Sequence, residues 1–322
     1  MLRVGWLMMV MLTGILSACD IAGAGGTSMH LPSVIAHRGG TADYPENTLR
    51  AIDGALRNGA DEIWLTVQLS ADQVPVLYRP ADLKDLTPER GPVSGKTADQ
   101  LMQINAGWTF RRTLPNGDVV FPYRDMPTPI PTLAAALAII PPDVPVILDM
   151  KAVPAEPQAA AVAAVLTAAG AWPRVRLYST NASYQKAFAV YPLARLFESR
   201  DSTRARLLEV ALAGKCDAPA HGIWSGFEWL RDVQVTESFT LGEARTPVRA
   251  KLWTPAALAC MDTNGAAHAV AFAVNNIDDY REAACLGMDA VLVDSPKMAR
   301  DWRVQLSQSF DCPVRTVRTS KP

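Results

Sequence analysis

The sequence predicts an α/β protein built as a (β/α)8 TIM-type barrel. Three observations carry this. Short apolar strands alternate with helical stretches from Ser33 onward, eight or nine strands can be counted, and no internal repeat interrupts the alternation. About 290 residues remain once an N-terminal leader is set aside, enough for one large barrel.

The leader comes first. One positive charge, Arg3, precedes an apolar run from Val4 to Leu16. The run is shorter than the roughly 20 residues needed to span a bilayer, and it suits the apolar segment of a signal peptide. It ends Leu16-Ser17-Ala18-Cys19, which resembles the lipobox of bacterial lipoproteins. Residues 1–18 are therefore expected to be a signal peptide and Cys19 a lipidated N-terminus. The Gly-rich stretch to residue 32 then reads as a flexible tether. This places the protein in the bacterial cell envelope, held by lipid on the periplasmic face. Asp20 resembles an inner-membrane retention signal, with inner against outer membrane left open.

Without the leader, 30 Lys and Arg stand against 32 Asp and Glu, a net charge of −2. So balanced a chain argues against a polyanion-binding surface, and no nucleic-acid partner is expected. Cys216, Cys260, Cys285 and Cys312 sit at no metal-ligand spacing. In an exported chain they read as bridges or buried thiols, with three pairings open.

The barrel elements follow in order. Ser33–Ala36 is a short apolar strand. Apolar residues at 49, 52, 55 and 56 then mark a helix that Asn47 or Thr48 can cap and Gly59 can end. Ile63–Leu69 and Val74–Tyr78 are strands separated by only four residues, too few for a helical crossover, so this connection must be irregular. Residues 80–131, rich in Pro, Gly and charge, read as an insertion. Pro145–Leu148, Val175–Tyr178, Ala194–Phe197, Ala269–Val274 and Ala290–Val293 are further strands. Lys215–Lys251 is hard to read, with strand-like pieces at 222–224 and 248–252. The barrel is expected over 33–302, with a tail over 303–322.

Functional side chains of such barrels sit at the C-terminal ends of strands. Those ends carry His37-Arg38-Gly39, Trp64 and Thr66, Arg79, Asp149-Met150-Lys151, Ser179, Asn275 and Asp294. The motifs Ile35-Ala-His-Arg-Gly-Gly, Tyr44-Pro-Glu-Asn-Thr, Asn58-Gly-Ala-Asp, Pro131-Thr-Leu, Ile147-Leu-Asp-Met-Lys, Ala273-Val-Asn-Asn and Leu286-Gly-Met-Asp-Ala-Val-Leu-Val-Asp-Ser-Pro occur in this order. Together they resemble the glycerophosphodiester phosphodiesterase family over roughly residues 33–302.

The resemblance implies a metal-assisted phosphodiesterase. A Ca²⁺ or Mg²⁺ ion is held by a Glu and an Asp two apart on strand two and a Glu on strand four, and two histidines serve as acid and base. This sequence departs from that pattern. Trp64 and Thr66 stand where the two strand-two carboxylates belong, Arg79 where the second histidine belongs, and Asp149 where the strand-four Glu belongs. One carboxylate cannot satisfy a hard cation, so no cofactor is expected. Glu62 is a poor substitute, because it lies about 6–7 Å down the strand from Trp64.

What remains is a set of cations. Arg38, Arg79 and Lys151 are expected to bind phosphate, with His37 as the catalytic candidate and Glu46, Asp149 and Asn275 in support. Glu46 can orient His37 or Arg38, and His221 is the one other histidine with a chance of reaching a pocket. The expected partners are a membrane, through lipid on Cys19, and a small phosphodiester. Three functions stay open: a phosphodiester-binding protein that has lost metal-dependent hydrolysis, a metal-free phosphodiester hydrolase using His37 and arginines, and an envelope scaffold with an inert pocket.

Overall fold

A computed structural model describes residues 30–265, 267–308 and 312. The expected signal peptide, Cys19 and nearly all of the expected tether lie outside these residues. Among the described residues no helix is long and apolar enough to cross a membrane.

The barrel begins with β1 (Ser33–His37), α1 (Leu49–Arg57) and β2 (Glu62–Leu69). Thr48 caps α1, its side chain accepting from the Ala51 amide, and Gly59 follows the end of the helix at φ +73°. The next strand, β3 (Pro75–Leu77), corrects the expected order. It runs antiparallel to β2, with Val67 opposite Leu77 and Gln68 opposite Val76, and is not a stave of the barrel. The four-residue link forces this. Ser70 donates from its amide and hydroxyl to the Val74 carbonyl, closing a hairpin turn that a parallel partner could not use. The irregular connection is therefore a hairpin, and it sends the chain back toward the barrel rim at Arg79.

Between the hairpin and α3 (Leu133–Ile139) lie a short helix α2 (Ala98–Leu101) and a small ribbon, β4 (Arg112–Thr113) with β5 (Val119–Val120). This excursion carries its own apolar cluster, in which Leu83, Val93, Leu101, Ile104 and Ile130 pack under Val76 and Tyr78. The barrel resumes with β6 (Val146–Met150), α4 (Ala155–Ala168), β7 (Val175–Tyr178), α5 (Ser183–Phe188), α6 (Arg200–Ala213) and β8 (Trp224–Glu228).

The region that resisted reading holds a two-stranded ribbon, β9 (Arg231–Phe239) and β10 (Gly242–Ala250). The strand expected over 248–252 belongs partly to this ribbon and not to the barrel. Its residues are exposed, so no burial imposes a period on them. The last elements are α7 (Pro255–Asp262), β11 (His268–Phe272), α8 (Ile277–Leu286), β12 (Ala290–Val293) and α9 (Pro296–Gln308). Helix α9 runs past the expected limit at 302, because Trp302 and Leu306 are buried against the barrel.

Seven strands pair in parallel in the order β7-β6-β2-β1-β12-β11-β8. Parallel bridges Leu177–Leu196 and Phe197–Trp224 insert an eighth stave, the expected strand at 194–197, and close the ring. Alternation then points Glu62, Trp64 and Thr66 of β2 inward in succession. The lumen is filled by Trp64, Tyr178, Phe197 and Phe272 above Ile35, Ile147 and Val270. Two outer cores pack the helices against the staves, one under α1, α3, α4 and α5, the other under α6 to α9.

Candidate functional site

The rim begins at the His37-Arg38-Gly39-Gly40 turn. Arg38 sits at φ +51° and Asn47 at φ +58°, left-handed positions that cost roughly 1–3 kcal/mol for a non-glycine residue and gather at functional sites. The glycines are required. A Cβ on Gly39 would stand 2.9 Å from the Ala51 Cβ, and one on Gly40 would stand 2.8 Å from the Pro296 Cδ.

His37 is held by a partner the sequence did not reveal. Its Nδ1 lies 2.6 Å from Asp294 Oδ1. Thr41 donates to the same oxygen at 3.0 Å, and the Asn275 side chain donates to Asp294 Oδ2 at 2.7 Å. Burial pushes the Asp294 carboxyl up, but the hydrogen bond and charge of His37, with those of Thr41 and Asn275, outweigh it and leave the pKa below its ordinary value. Asn275 thus supports the site through Asp294. Glu46 does not touch His37. It accepts from Arg38 Nη1 at 2.6 Å, in a pair whose side chains are 17% and 15% exposed.

Across the rim, Thr66 of β2 stands opposite Asp149 of β6, and Asp149 opposite Tyr178 of β7. Lys151 Nζ lies 2.9 Å from Asp149 Oδ1 and 3.4 Å from Thr180 Oγ1. Burial raises the Asp149 pKa above the usual carboxylate range, against the opposing charges of Lys151, Arg38 and His37. Arg79 is exposed on the returning hairpin, and its carbonyl accepts from the Gln68 side chain at 3.1 Å. Ser179 turns away and donates to the Met150 carbonyl.

Trp64 does not reach the rim. It is 3% exposed, with ring centroids 4.9 Å from Tyr178, 5.3 Å from Phe272 and 6.1 Å from Phe197. Glu62 is paired with Arg176 at the barrel base. His221 is exposed just ahead of β8, at the base, so it cannot serve the rim. His268 also lies at the base, stacked on Trp224 at 4.3 Å. The donor set does not fit the cation the resemblance implies. Position 64 offers an indole closed in aromatic rings, position 66 a hydroxyl, and Asp149 already faces Lys151. Among the described residues no group of three or more His, Cys, Asp or Glu side chains is arranged to hold a metal ion.

Three rim residues escaped the sequence. Glu228 ends β8 and accepts from Arg200, which opens α6, and from Arg231 Nη1 at 2.9 Å. Arg200 also reaches Tyr178, whose phenol burial pushes well above its ordinary range. Buried Arg38 Nε, Glu46 Oε1 and Thr66 Oγ1 make no hydrogen bond within the protein. Such atoms cost about 1–3 kcal/mol each when left unsatisfied.

The fold is an α/β barrel whose rim carries the pairs His37–Asp294, Arg38–Glu46 and Lys151–Asp149 at the C-terminal ends of the staves. The model of the glycerophosphoryl diester phosphodiesterase family matches residues 37–298, and the chain belongs to that family. Rv2277c of Mycobacterium tuberculosis is 50% identical over 273 residues, covering 84% of this chain and 90% of that protein. The crystal structure of its glycerophosphoryl diester phosphodiesterase domain superposes with a TM-score of 0.79 at 49% identity, covering 85% of this chain and all of that one. An Oleispira antarctica phosphodiesterase in complex with the product sn-glycerol-3-phosphate shares the fold at 21% identity. Its TM-score is 0.60, covering 84% of this chain and 96% of that one.

Proposed function

We propose that this chain binds a phosphodiester, of the glycerophosphodiester headgroup type, directly on protein cations at the barrel rim, and that it has lost the family's metal-assisted hydrolysis. One observation carries the reading. The inward positions 64 and 66 hold an indole and a hydroxyl in place of carboxylates, while Lys151 pairs with Asp149 and Arg38 with Glu46 beside them. Arg38 supplies a planar fork for phosphate oxygens, and exposed Arg79 adds a third cation that can swing onto a bound anion.

A second reading has its own support. The bond from His37 Nδ1 to Asp294 fixes the ring and directs the other nitrogen, Nε2, to proton exchange. On this reading the protein is a metal-free phosphoric diester hydrolase, with His37 as the acid/base and the arginines neutralising the phosphate. The third reading, a scaffold with an inert rim, remains an outcome of the same test.

Titration calorimetry with glycerophosphodiesters in chelator separates the three. Binding at millimolar ligand or tighter is expected. Arg79→Ala should weaken it about tenfold, since a charge-assisted hydrogen bond contributes roughly 1.5–3 kcal/mol and a factor of ten is ~1.4 kcal/mol. Affinity should fall as pH rises through the raised pKa of Asp149, because ionised Asp149 competes for Lys151. The same trend in His37→Ala would isolate Asp149 from the imidazole. Slow release of glycerol phosphate by wild type but not by His37→Ala would establish the hydrolase instead. No heat with any phosphate ester would leave the scaffold.

The chain is placed by the same proposal in the cell envelope, anchored through lipid on Cys19. Two disulfides, Cys216–Cys260 and Cys285–Cys312, support export into an oxidising compartment. Cys19→Ala should release the protein from washed membranes, and unchanged retention would overturn the anchor.

A further inference from the structure

Beside the cationic rim lies a cavity of about 350 Å³ between the β2–β3 hairpin, the inserted segment and the start of α4. Lys151 lines it, so one side chain borders both the cavity and the Asp149 carboxylate. Gln68 lines it as well, and also holds the Arg79 and Pro80 carbonyls. The cavity therefore shares Lys151 with the place where the phosphate is proposed to sit.

Its chemistry is distinctive. Leu69, Val93, Val153 and Pro154 give aliphatic wall, and Gln73 and Ser94 add neutral polar groups. Among the described residues its lining holds no carboxylate and no aromatic ring, and Lys151 is its one charged side chain. A cationic alcohol such as choline would find neither a carboxylate nor a ring face in the lining to stabilise it. The volume equals that of about a dozen waters at ~30 Å³ each, far more than a glycerol needs.

From this juxtaposition we infer that the cavity receives the alcohol arm of the bound phosphodiester and selects an uncharged, ring-sized alcohol over a cationic one. The inference rests on the phosphate site proposed above. That site holds the anion and the cavity reads the arm. Displaced cavity water and aliphatic contact favour the larger neutral group, and the lining offers a quaternary ammonium neither a carboxylate nor a ring face.

Calorimetry with three probes tests it: glycerol 3-phosphate, glycerophosphocholine and glycerophosphoinositol. The inositol ester is expected to bind at least tenfold more tightly than the choline ester. Ala71 and Val153 line the cavity as exposed residues, Val153 at 78% exposure, so an indole can be added at either without disturbing a core. Ala71→Trp and Val153→Trp should bring the two diesters to equal affinity and leave glycerol 3-phosphate unchanged, which also reports correct folding. If wild type binds glycerol 3-phosphate but takes both diesters equally, the cavity inference fails and the phosphate site stands. A preference that survives both tryptophans likewise overturns the inference. If none of the three probes binds, the phosphate site and the cavity fall together.

Discussion

Trp64→Ala is expected to lower the unfolding free energy by about 3–5 kcal/mol, the range for removing a large aromatic side chain from a core. The indole is 3% exposed and fills the lumen against Tyr178, Phe197 and Phe272. Tilted and edge-on pairs of this kind add roughly 0.5–1.5 kcal/mol beyond area burial. The cavity left behind would be walled by aromatic and aliphatic groups, so it should stay dry and accept an apolar guest. Urea unfolding measures the loss, and added indole should recover part of it in Trp64→Ala but not in wild type. An unchanged midpoint would show that the lumen is not packed around Trp64. Trp64→Glu puts a carboxylate where the family resemblance places one. Here it would lie among rings, a burial more costly than the alanine void. Were Trp64→Glu as stable as Trp64→Ala, with a midpoint that climbs on adding Ca²⁺, the rim would still hold a cation and the proposed loss of metal chemistry would fail.

The same residue marks how far the sequence could be read. A tryptophan and a threonine at the inward positions of an identifiable strand were visible from the motifs alone, as were the family and the (β/α)8 class. Short apolar staves at 33, 63, 146, 175 and 290 announce themselves because both faces are buried. The third strand misled, since Val74–Tyr78 is apolar for a different reason: it covers the insertion's own core rather than the lumen. Asp294 could be placed at a strand end but not paired with His37, which lies 257 residues away, because only ring closure makes β12 the neighbour of β1. Closure itself was the signal available, for the first and last staves of any closed barrel must touch. Arg200 and Glu228 had no such signal. The stave before Arg200 is held by isolated bridges, and Glu228 ends its stave inside the unreadable stretch that leads into an exposed ribbon.

Replacing Cys216 and Cys260 together by alanine is expected to cost about 4 kcal/mol, as follows from closing a 44-residue loop in the unfolded chain. That loop contains β8 and the whole β9–β10 ribbon, and it anchors the linker after α6 to α7 at buried Cys260. A two-stranded ribbon has little independent stability in water, so the clasp bears on a part of the chain with little packing to hold it. The second bridge spans 27 residues and fastens Cys312, beyond the end of α9, to α8, for slightly less. Reducing agent should lower the wild-type urea midpoint, lower it less in the Cys216→Ala/Cys260→Ala variant, and leave a variant lacking both bridges unmoved. Amide exchange should accelerate first in the ribbon and β8, because the opened segment borders Glu228 and its two arginines. If reductant leaves the wild-type midpoint in place, the bridges contribute nothing to the folded state, and they cease to support a protein made for an oxidising compartment.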